Sequence, residues 1–582
     1  MSNIRESITE RLLGSLGSII LTILMAIGCV VFYYFALPPV NLRSGVFWVF
    51  LFIVAACIAA SVTLLIGDES YTITAIAIIL PIAIVVIGII CEISSLMVFH
   101  ADKAYQVADV TISEKPITED FEDLTNPASL KNLPLVDLDT ARMLGDKKVA
   151  KLQNASWYDV DDEYNLIKTK QGYYRLSVID YGGFFKYNKA KNTGLPGYVL
   201  VNVTPDKGVV TQDAEIVELE DKILYSPGAF WSHDLNRHLR FQFPSYIFDS
   251  SYLEIDDNGN PYWVTGILRP TAGPFGVATV TSFILTNAQT GASEEYDVAN
   301  APEWIDHIFS LDYLMKIAYW HYAYADGYWN NVFSKTGVLR TSYEFRDKRS
   351  AEDAETVAGK FANFFGYSSI VDRNGEVHFY TGLTAANNAD SNVGWLTIDT
   401  STGKMTQYNV VGAEESSAQA AVEQLVQAQG YQATFPLPTN IAGTPSYIMC
   451  LKGKAGFAQA YGICNVENYS IAAVGETLDQ TIKVYQLKLG SDEVLDTALP
   501  DSTTLPANVE LDTTSQTVVI DAIYTAEIDG TTQFYYLING TLYRAPITIN
   551  ELQIIFKKGD EVIINSYPTD DVEIITSIKK SS

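Results

Sequence analysis

Positive charge is scarce in this chain. Lysine and arginine total 39 residues against 68 aspartate and glutamate residues, so the 582-residue chain carries a formal net charge of −29 at pH 7. Nearly all of this negative charge falls after residue 99. A surface this acidic repels phosphate groups, whether in nucleic acids or in anionic lipid heads. The composition therefore argues against a nucleic-acid partner.

Cysteine is also rare, with five residues in all. Cys29, Cys57 and Cys91 fall in long apolar stretches, where a small apolar thiol is ordinary. This count excludes a disulfide-stabilised scaffold. Cys450 and Cys464 remain as a candidate disulfide, which would form if that part of the chain lies outside the cell. The sequence leaves their bridging open, because a disulfide requires the two Cβ atoms to face each other.

The chain lacks the common catalytic signatures: no GxSxG, HExxH, CxxC or Walker motif occurs. His233 and His238 are five residues apart, whereas one face of a helix needs a spacing of three or four, so they are a weak metal pair. Asp306-His307 could be a base and its orienting acid, but the sequence assigns no nucleophile beside them.

Acidic stretches give no clearer site. Glu254, Asp256, Asn258 and Gly259 match the first half of a calcium-binding loop, but position twelve lacks the bidentate glutamate. An Asn-Gly pair between apolar residues is more typical of a hairpin turn. The acids at 161–163 are interpreted as a solvated loop. We therefore assign no catalytic, cofactor-binding or metal-binding residue from the sequence.

The sequence does contain three long uncharged apolar runs, at about residues 12–37, 44–67 and 70–91. Each exceeds the ~20 residues that a helix needs to cross the ~30 Å hydrocarbon layer. Backbone amides in lipid must be paired within their own segment, so helices are expected. The sequence predicts a cytoplasmic tail at residues 1–11 and three transmembrane helices within residues 12–99, with the lipid bilayer as a partner.

Arginine placement predicts the orientation of these helices. Arg5 and Arg11 precede the first run and Arg43 follows it, which favours a cytoplasmic N-terminus under the positive-inside rule. Lys103 and Lys115 beyond the third run reduce this preference. Three crossings then place the C-terminal domains outside the cytoplasm, at the cell membrane.

The remainder of the chain predicts a repeated α+β architecture. Residues 100–140 are acidic and contain prolines, and they are expected to form a stalk or linker. Strand pairs follow, with polar turns that end in Gly208, Gly291 and Gly403. Their recurrence indicates an internal repeat. The segments with strand character lie at 174–181, 198–204, 262–268, 282–287, 377–383 and 395–399.

Amphipathic helices separate the later copies. Apolar residues recur with helical spacing at 354–365 and 418–426, and each helix is followed by a Gly-Tyr pair. One apolar helix face covering an antiparallel sheet is the economical arrangement. We therefore predict modules 1 and 2 within residues 141–300 and modules 3 and 4 within residues 346–510.

These segments carry a resemblance to a known family. Strands that end in a Thr-Gly turn, with a short helix packed on the sheet, resemble the PepSY-type modules of bacterial envelope proteins over residues 170–215, 252–300 and 350–470. With its three apolar runs, the chain is similar to uncharacterised membrane-anchored proteins of Gram-positive bacteria. The resemblance implies an envelope location and a sheet-plus-helix fold, and it implies no particular activity.

Residues 301–345 are rich in aromatic residues and are predicted to be helical. This segment is too aromatic for a helix with one wet face. It is either a central core helix or an interface that buries aromatic anchors against a protein partner or a second copy. The candidate interface residues are Trp304, Tyr319, Trp320, Tyr324, Tyr328 and Trp329.

The last segment, residues 511–582, contains several short strands. Its Gly-Asp-x-Val-x-Ile pattern at 559–564 resembles the entry to an OB-like strand, and the strand number suits a small barrel. Barrels of this kind often bind nucleic acids, but acids outnumber basic residues in this segment. The prediction is a small OB-like β-barrel with a structural or protein-binding role.

We therefore expect a membrane-anchored α+β protein: three N-terminal transmembrane helices, repeated antiparallel sheet-plus-helix (PepSY-like) modules and a C-terminal OB-like β-barrel. Its expected role is a non-enzymatic extracytoplasmic scaffold or binding protein of a bacterial cell envelope, with a protein partner or self-association and no cofactor. Two alternatives remain, a regulatory subunit or protease inhibitor of a membrane partner and an extracytoplasmic hydrolase with an unrecognised site. A pocket joining His233, His238 or His307 to carboxylates would favour the hydrolase, whereas a broad exposed Tyr/Trp patch would favour the scaffold.

Overall fold

A computed structural model divides the chain into two compact units. Unit 1 comprises residues 1–414 and 437–445, and unit 2 comprises residues 415–436 and 446–582. The described residues are 2–66, 70–115, 117–342, 366–386, 388–490, 514–528, 531–546, 549, 553, 556–568 and 573–580.

The α-helices, in chain order, are α1 (Ser2–Ala36), α2 (Gly45–Ile66), α3 (Tyr71–Ser94), α4 (Met97–Tyr105), α5 (Ile117–Asp120), α6 (Leu138–Val149), α7 (Phe184–Ala190), α8 (Leu235–Gln242), α9 (Leu311–Ala323), α10 (Glu415–Leu425) and α11 (Leu478–Leu489). The first strands are β1 (Val110–Ile112), β2 (Tyr158–Val160), β3 (Asn165–Thr169), β4 (Gly172–Tyr181), β5 (Leu195–Asn202), β6 (Pro205–Asp206), β7 (Val209–Val210), β8 (Ala214–Ile223), β9 (Ile247–Ile255), β10 (Pro261–Ala272), β11 (Val277–Asn287) and β12 (Ser293–Asp297). The next are β13 (Leu339–Thr341), β14 (Ser368–Val371), β15 (Val377–Ala385), β16 (Asn388–Asp399), β17 (Met405–Tyr408), β18 (Gly412–Ala413), β19 (Gln432–Ala433), β20 (Leu437–Ile441), β21 (Thr444–Lys452), β22 (Ala458–Asn465) and β23 (Ala472–Gly475). The last are β24 (Thr514–Val519), β25 (Ala522–Ile528), β26 (Thr531–Ile538), β27 (Thr541–Pro546), β28 (Glu561–Pro568) and β29 (Glu573–Lys580).

Three long apolar helices stand at the N-terminus, which confirms that part of the prediction. Within them, the segments Leu16–Ala36, Gly45–Leu65 and Tyr71–Ser94 are long and apolar enough to cross a bilayer. Helix α2 contacts both α1 and α3. Many of their large apolar side chains are exposed, as expected for helices that face lipid rather than water.

Two arginines of α8 cap the C-terminal end of the first apolar helix. Arg237 Nε donates to the Tyr34 carbonyl at 3.2 Å, and Arg240 Nε donates to the Leu37 carbonyl at 3.0 Å. The last carbonyls of a helix lack partners within the helix, and the negative end of its dipole favours a cation. Both arginine side chains are buried. The end of α1 is therefore held directly by the extramembrane part of unit 1.

The ends of the other two apolar helices are held by the β10–β11 hairpin. Arg43, just before α2, donates from Nη1 to the Pro270 carbonyl at 2.6 Å. At the end of α3, Ser95 Oγ accepts a hydrogen bond from Phe275 N at 2.9 Å. Gly273 permits this approach, because its φ is +69° and a Cβ there would lie 2.9 Å from Ser95 Cα.

Unit 1 contains three sheets built on hairpins of the predicted kind. The first has the order β2-β4-β5-β8 with β3 also paired to β4, and the second has the order β9-β10-β11-β12. The third has the order β1-β17-β16-β15-β13, with β14 on β15 and β18 on β16. Gly208, Gly291 and Gly403 have φ values of 75°, 75° and 71°, which confirms the positive φ inferred for these turn positions. The helix expected at 354–365 lies outside the described residues.

The second sheet is the central layer of unit 1 and is buried on both faces. Along β10, Trp263 and Ile267 lie in the core shared with the first sheet, whereas Val264 lies in the core shared with α9 and the third sheet. This alternation follows from the two-residue period of a strand. Leu314 and Ile317 of α9 are buried in this core between the second sheet and the third sheet. Helix α9 is therefore a core helix.

Residues 100–140, which we expected to form a stalk, contribute to the body of unit 1. Helix α4 contacts α9, and His321 Nδ1 lies 3.1 Å from the Tyr105 carbonyl. Strand β1 pairs in parallel with β17, with Val110 opposite Met405. A parallel pairing over such a sequence separation has no local signature, so the sequence gives no sign of it.

Unit 2 contains helices α10 and α11 beside strands in the order β19-β21-β22-β23. Helix α10 begins three residues before the predicted helical segment at 418–426 and ends one residue before its end, and Gly430 behind it has a φ of +65°. The C-terminal strands have the order β24-β28-β29-β27-β26-β25. Strands β24 and β25 are the two edges of this sheet, which makes it an open half-barrel. The closed OB-like barrel expected from the sequence is not confirmed.

The candidate disulfide between Cys450 and Cys464 is not formed, which corrects the sequence analysis, because both cysteines are buried and neither takes part in a disulfide. Cys450 is opposite Tyr461 on the neighbouring strand, and Cys464 is opposite Tyr447. Three register positions therefore separate them, or ~10 Å along the strands, which is too far for a bridge. Strand register, which the sequence does not reveal, keeps the two thiols apart.

We predict that Cys450 and Cys464 resist modification in the folded protein. Burial raises the pKa of Cys464 to about 12. Its thiolate is then roughly a thousandfold less populated at pH 8 than that of an unfolded cysteine. Maleimide labelling of the full chain in detergent, followed by peptide mass spectrometry, should leave both cysteines unmodified until denaturant is added. A disulfide-linked peptide pair before reduction would contradict the register.

Candidate functional site

The six candidate interface residues do not share one surface. Four of them pack around the core of α9: Trp304, Trp320, Tyr324 and Tyr328. Tyr319 and Trp329 are instead 38% and 61% exposed. Trp329 stacks on Phe333, with ring centroids 5.7 Å apart, and Phe333 is 74% exposed. We call Tyr319, Trp329 and Phe333 the aromatic surface.

His233 and His238 flank one tyrosine ring and do not converge on a common ligand position. Their ring centroids lie 5.3 and 4.4 Å from that of Tyr225. His238 Nε2 is 2.7 Å from the Gly291 carbonyl, and His233 Nδ1 is 3.4 Å from the Tyr187 hydroxyl. Across the described residues, no group of three or more His, Cys, Asp or Glu side chains is arranged to hold a metal ion.

The turn at residues 256–260 joins β9 to β10, in agreement with the hairpin interpretation of Asn258-Gly259. Asp256 Oδ1 accepts hydrogen bonds from the backbone N–H groups of Asn258 at 2.8 Å and Asn260 at 2.9 Å. Glu254, the first acid of the calcium-like pattern, lies on β9 and takes part in a different contact.

A cavity of about 290 Å³ lies where the three sheets of unit 1 approach one another. We call it the His307 pocket. Its walls combine aromatic rings, aliphatic side chains and groups of both charges. The lining residues come from α6, the loop before β3, strands β3, β4 and β9, the loop before α9 and its first turn, the residue before β14, and strands β14 and β15. Those used below are Arg142, Asp162, Glu163, Tyr164, Arg175, Ser250, Tyr252, His307, Asp312, Tyr367 and Ser369.

A buried carboxyl group orients the imidazole of this pocket. His307 Nδ1 lies 3.0 Å from Glu254 Oε1, and the same oxygen accepts a hydrogen bond from the His307 backbone N–H at 3.1 Å. Both side chains are 1% exposed. In the Nδ1–H tautomer the ring donates to Glu254 and Nε2 carries no proton.

Burial keeps this pair neutral at physiological pH. It raises the pKa of Glu254 well above its usual range and lowers the pKa of His307 to about 4. The neighbouring Asp306 is also buried, and burial together with Glu254 raises its pKa to about 8. Removing charged groups from water costs more than their attraction returns here, so the neutral forms prevail.

The sequence analysis suggested Asp306 as the acid that orients His307, and this suggestion is wrong. Asp306 Oδ2 accepts a hydrogen bond from the Lys168 backbone N–H at 2.5 Å, while the acid on His307 is Glu254, which is distant in sequence. The available signal was an acid inside the apolar end of a strand, at Tyr252-Leu253-Glu254-Ile255, where only a paired group is expected.

Two residues that line the pocket have a buried polar atom with no hydrogen-bond partner, His307 Nε2 and Tyr164 Oη, and Glu254 Oε2, next to His307, is in the same state. Each such atom costs roughly 1–3 kcal/mol when it is shielded from water. Polar groups left in this state at a cavity are a feature of binding sites. The pocket is therefore the candidate functional site of unit 1.

The mouth of the pocket is negatively charged. The pKa of Glu163 is raised to about 7. Partial burial is the larger cause, and the nearby carboxylates of Asp161 and Asp312 make a smaller contribution. Arg142 Nε donates to the Asp162 backbone carbonyl at 2.7 Å. This contact holds the positive guanidinium beside the acids, where it offsets part of their charge. Arg175 is buried and donates to backbone carbonyls. The smaller contribution from Asp161 and Asp312 to the raised pKa of Glu163 reflects negative charge that favours a cation nearby.

The pocket lacks an activated nucleophile among the described residues. Ser250 and Ser369 line it, but His307 Nε2 has no hydrogen-bond partner and is shielded from solvent. A base that activates a hydroxyl must lie within hydrogen-bond reach of it. The geometry is therefore that of a polar binding cavity with an oriented, neutral imidazole in its wall.

No family model matches the chain, and no curated protein matches it either. No residue of the pocket therefore inherits a role from a characterised relative. The distances and burial of this chain's own side chains carry the functional assignment.

We predict that Asp306→Asn changes the pH dependence of stability. The unfolded carboxyl ionises above pH ~4 whereas the folded one stays protonated up to about pH 8, so wild-type stability is lost as pH rises through this window. Asparagine does not titrate and keeps an acceptor for Lys168 N–H. Relative to wild type, the variant should gain at least ~1 kcal/mol, or about 2–4 °C in melting temperature, between pH 5 and pH 8. An equal offset at both pH values, measured by thermal unfolding in detergent, would contradict a protonated Asp306.

Proposed function

We propose that this chain is a non-enzymatic, membrane-anchored binding protein of a bacterial cell envelope, with its N-terminus in the cytoplasm and its extramembrane units outside. An odd number of crossings puts the two ends of the chain on opposite sides of the bilayer. The arginines before the first apolar helix favour a cytoplasmic N-terminus. The resemblance to PepSY-type modules supports the envelope location, and the excess of acids over basic residues in residues 511–582 supports a structural or protein-binding role for that segment.

The orientation predicts which end a protease can reach. In intact cells that carry one epitope tag at each end of the full chain, added protease should remove the C-terminal tag and leave the N-terminal tag. After lysis both tags should be lost. If intact cells lost only the N-terminal tag, the orientation of the chain would be the opposite of the one proposed.

The observation that carries the binding role is the His307 pocket itself, a cavity of about 290 Å³ whose walls combine aromatic rings with carboxylates. We assign to this pocket an organic cation with an aromatic or aliphatic body. Asp162, Glu163 and Asp312 supply negative charge at the mouth. Tyr252 and Tyr367 supply ring faces, which attract cations.

A hydrolase is the second candidate, because the pocket does join His307 to carboxylates. Water would have to act as the nucleophile, since no described hydroxyl lies within hydrogen-bond reach of Nε2. The shielding of Nε2 from solvent disfavours this role, and we rank binding above it.

The aromatic surface supports a second contact of the binding protein, with a protein partner or a second copy. Trp329 and Phe333 are stacked, rigid and largely exposed, and aromatic anchors of this kind dominate protein interfaces. This part of the proposal is independent of the ligand in the pocket.

We predict that tyramine binds the full chain in detergent at pH 8 more tightly than its neutral analogue 4-ethylphenol. Protonating Glu163 by moving to pH 5.5 should weaken tyramine binding roughly tenfold, because one attractive carboxylate is lost near the amine. Glu163→Gln should do the same at pH 8, whereas Glu220→Gln, on exposed strand β8, should have no effect. Isothermal titration measures the affinity under each of these conditions.

Equal binding of tyramine and 4-ethylphenol would contradict a cation site. If the Glu163→Gln variant kept the pH dependence, the group whose protonation weakens binding would be a residue other than Glu163. Turnover of an ester probe that is lost in His307→Gln, but kept in Glu220→Gln, would favour the hydrolase instead.

A further inference from the structure

Two segments of unit 1 reverse the charge of the rest of the chain. Residues 181–205 contain three lysines and no acid, and residues 235–248 contain two arginines and no acid. The chain as a whole carries −29. The two arginines are buried at the end of α1, so the lysines of the first segment carry the positive charge that favours an anionic neighbour.

The same segments and the turn before α8 expose large aromatic side chains. Phe185 is 81% exposed, Phe241 53%, Trp231 43% and Phe184 39%. Phe184 contacts both Phe185 and Trp231, with ring centroids 5.5 and 5.9 Å apart. Single exposed apolar residues are common, whereas a contiguous group marks an interaction surface. The basic aromatic face is defined by Phe184, Phe185, Lys186, Lys189, Trp231 and Phe241.

This face continues directly from the end of the first apolar helix. The Phe241 ring centroid lies 6.4 and 6.1 Å from those of Tyr33 and Tyr34, in the last turn of α1. The Arg237 guanidinium lies over the Tyr34 ring at 4.3 Å, and its Nη1 donates to the Trp231 carbonyl at 2.8 Å. Tyrosine and tryptophan at the end of a span belong at the level of the lipid headgroups.

The backbone at Trp231 is held in an unusual conformation. Its φ is +59°, a region that bulky side chains rarely adopt. The Arg237 hydrogen bond to its carbonyl holds the residue there, and its indole remains 43% exposed. Backbone strain of this kind clusters at binding sites and switch regions.

We propose that the basic aromatic face rests in the bilayer interface of the leaflet in which α1 ends. Phe185 and Trp231 insert among the lipid headgroups, and Lys186 and Lys189 bind the phosphates of anionic lipids. Amphipathic segments with aromatic residues and lysines bind such surfaces through burial of apolar area and attraction to anionic heads. The inference depends on the apolar helices lying in lipid and is independent of the ligand in the His307 pocket.

A photoreactive benzophenone residue at position 185 tests this contact. The full chain is reconstituted into vesicles of phosphatidylcholine with phosphatidylglycerol, irradiated and analysed by peptide mass spectrometry. Position 209 is the matched control. Val209 is 45% exposed and lies beyond the other end of β5, ~23 Å along the strand from the end beside α7. Lipid adducts at 185 should exceed those at 209 by at least about tenfold, because only an interfacial residue meets acyl chains.

The charge contribution is tested with Lys189→Gln against Lys207→Gln, an exposed lysine in the β6–β7 turn. Lys189→Gln should lower the ratio of phosphatidylglycerol to phosphatidylcholine adducts at position 185 about fivefold, as expected for one lysine near an anionic surface. Lys207→Gln should leave it unchanged. Equal lipid yields at 185 and 209, or adducts at 185 to a second protein copy in place of lipid, would overturn the proposal. An unchanged lipid ratio in Lys189→Gln would overturn the headgroup contact.

Discussion

The carbonyl groups at the end of a membrane helix need donors, and this requirement governs how unit 1 is built. Arg237 and Arg240 supply donors at the end of α1, and at the end of α3 the Ser95 hydroxyl donates to the Cys91 carbonyl and accepts from the Phe275 backbone N–H. These bonds form where lipid gives way to water and where neither solvent satisfies the backbone fully. The extramembrane sheets are therefore fixed to the apolar helices by specific hydrogen bonds rather than tethered by a free linker.

From that attachment the layers of unit 1 follow in order. The hairpin that reaches α3 belongs to the second sheet, which is buried on both faces between the first sheet and α9. Strand β9 of the same sheet carries Glu254 to the His307 pocket. The central sheet thus links the membrane boundary to the candidate site, and the pocket inherits its geometry from the most buried layer.

Local features could be predicted from the sequence, and features that depend on distant pairing could not. The three apolar helices follow from length and apolarity alone, and the turns at Gly208, Gly291 and Gly403 follow from the need for positive φ. The contact between Glu254 and His307 depends on how β9 passes the start of α9. The separation of Cys450 and Cys464 depends on strand register.

The net charge of the whole chain was also a poor guide to the charge of an individual surface. The average over 582 residues is acidic, and it suggested that anionic lipid heads are repelled. Folding sorts the charges by position and gathers the basic segments around α7 and α8, beside the end of α1. A whole-chain average therefore describes solubility but not the character of an individual face.

The arginine caps also determine where the chain can be cut. A soluble fragment that starts after residue 96 would lose the carbonyls of Tyr34 and Leu37, so two buried guanidinium groups would keep their charge without these acceptors. It would also uncover the ring of Phe241 where Tyr33 and Tyr34 now cover it. Such a truncation removes part of the fold of unit 1 itself, and the excised fragment would be prone to aggregate.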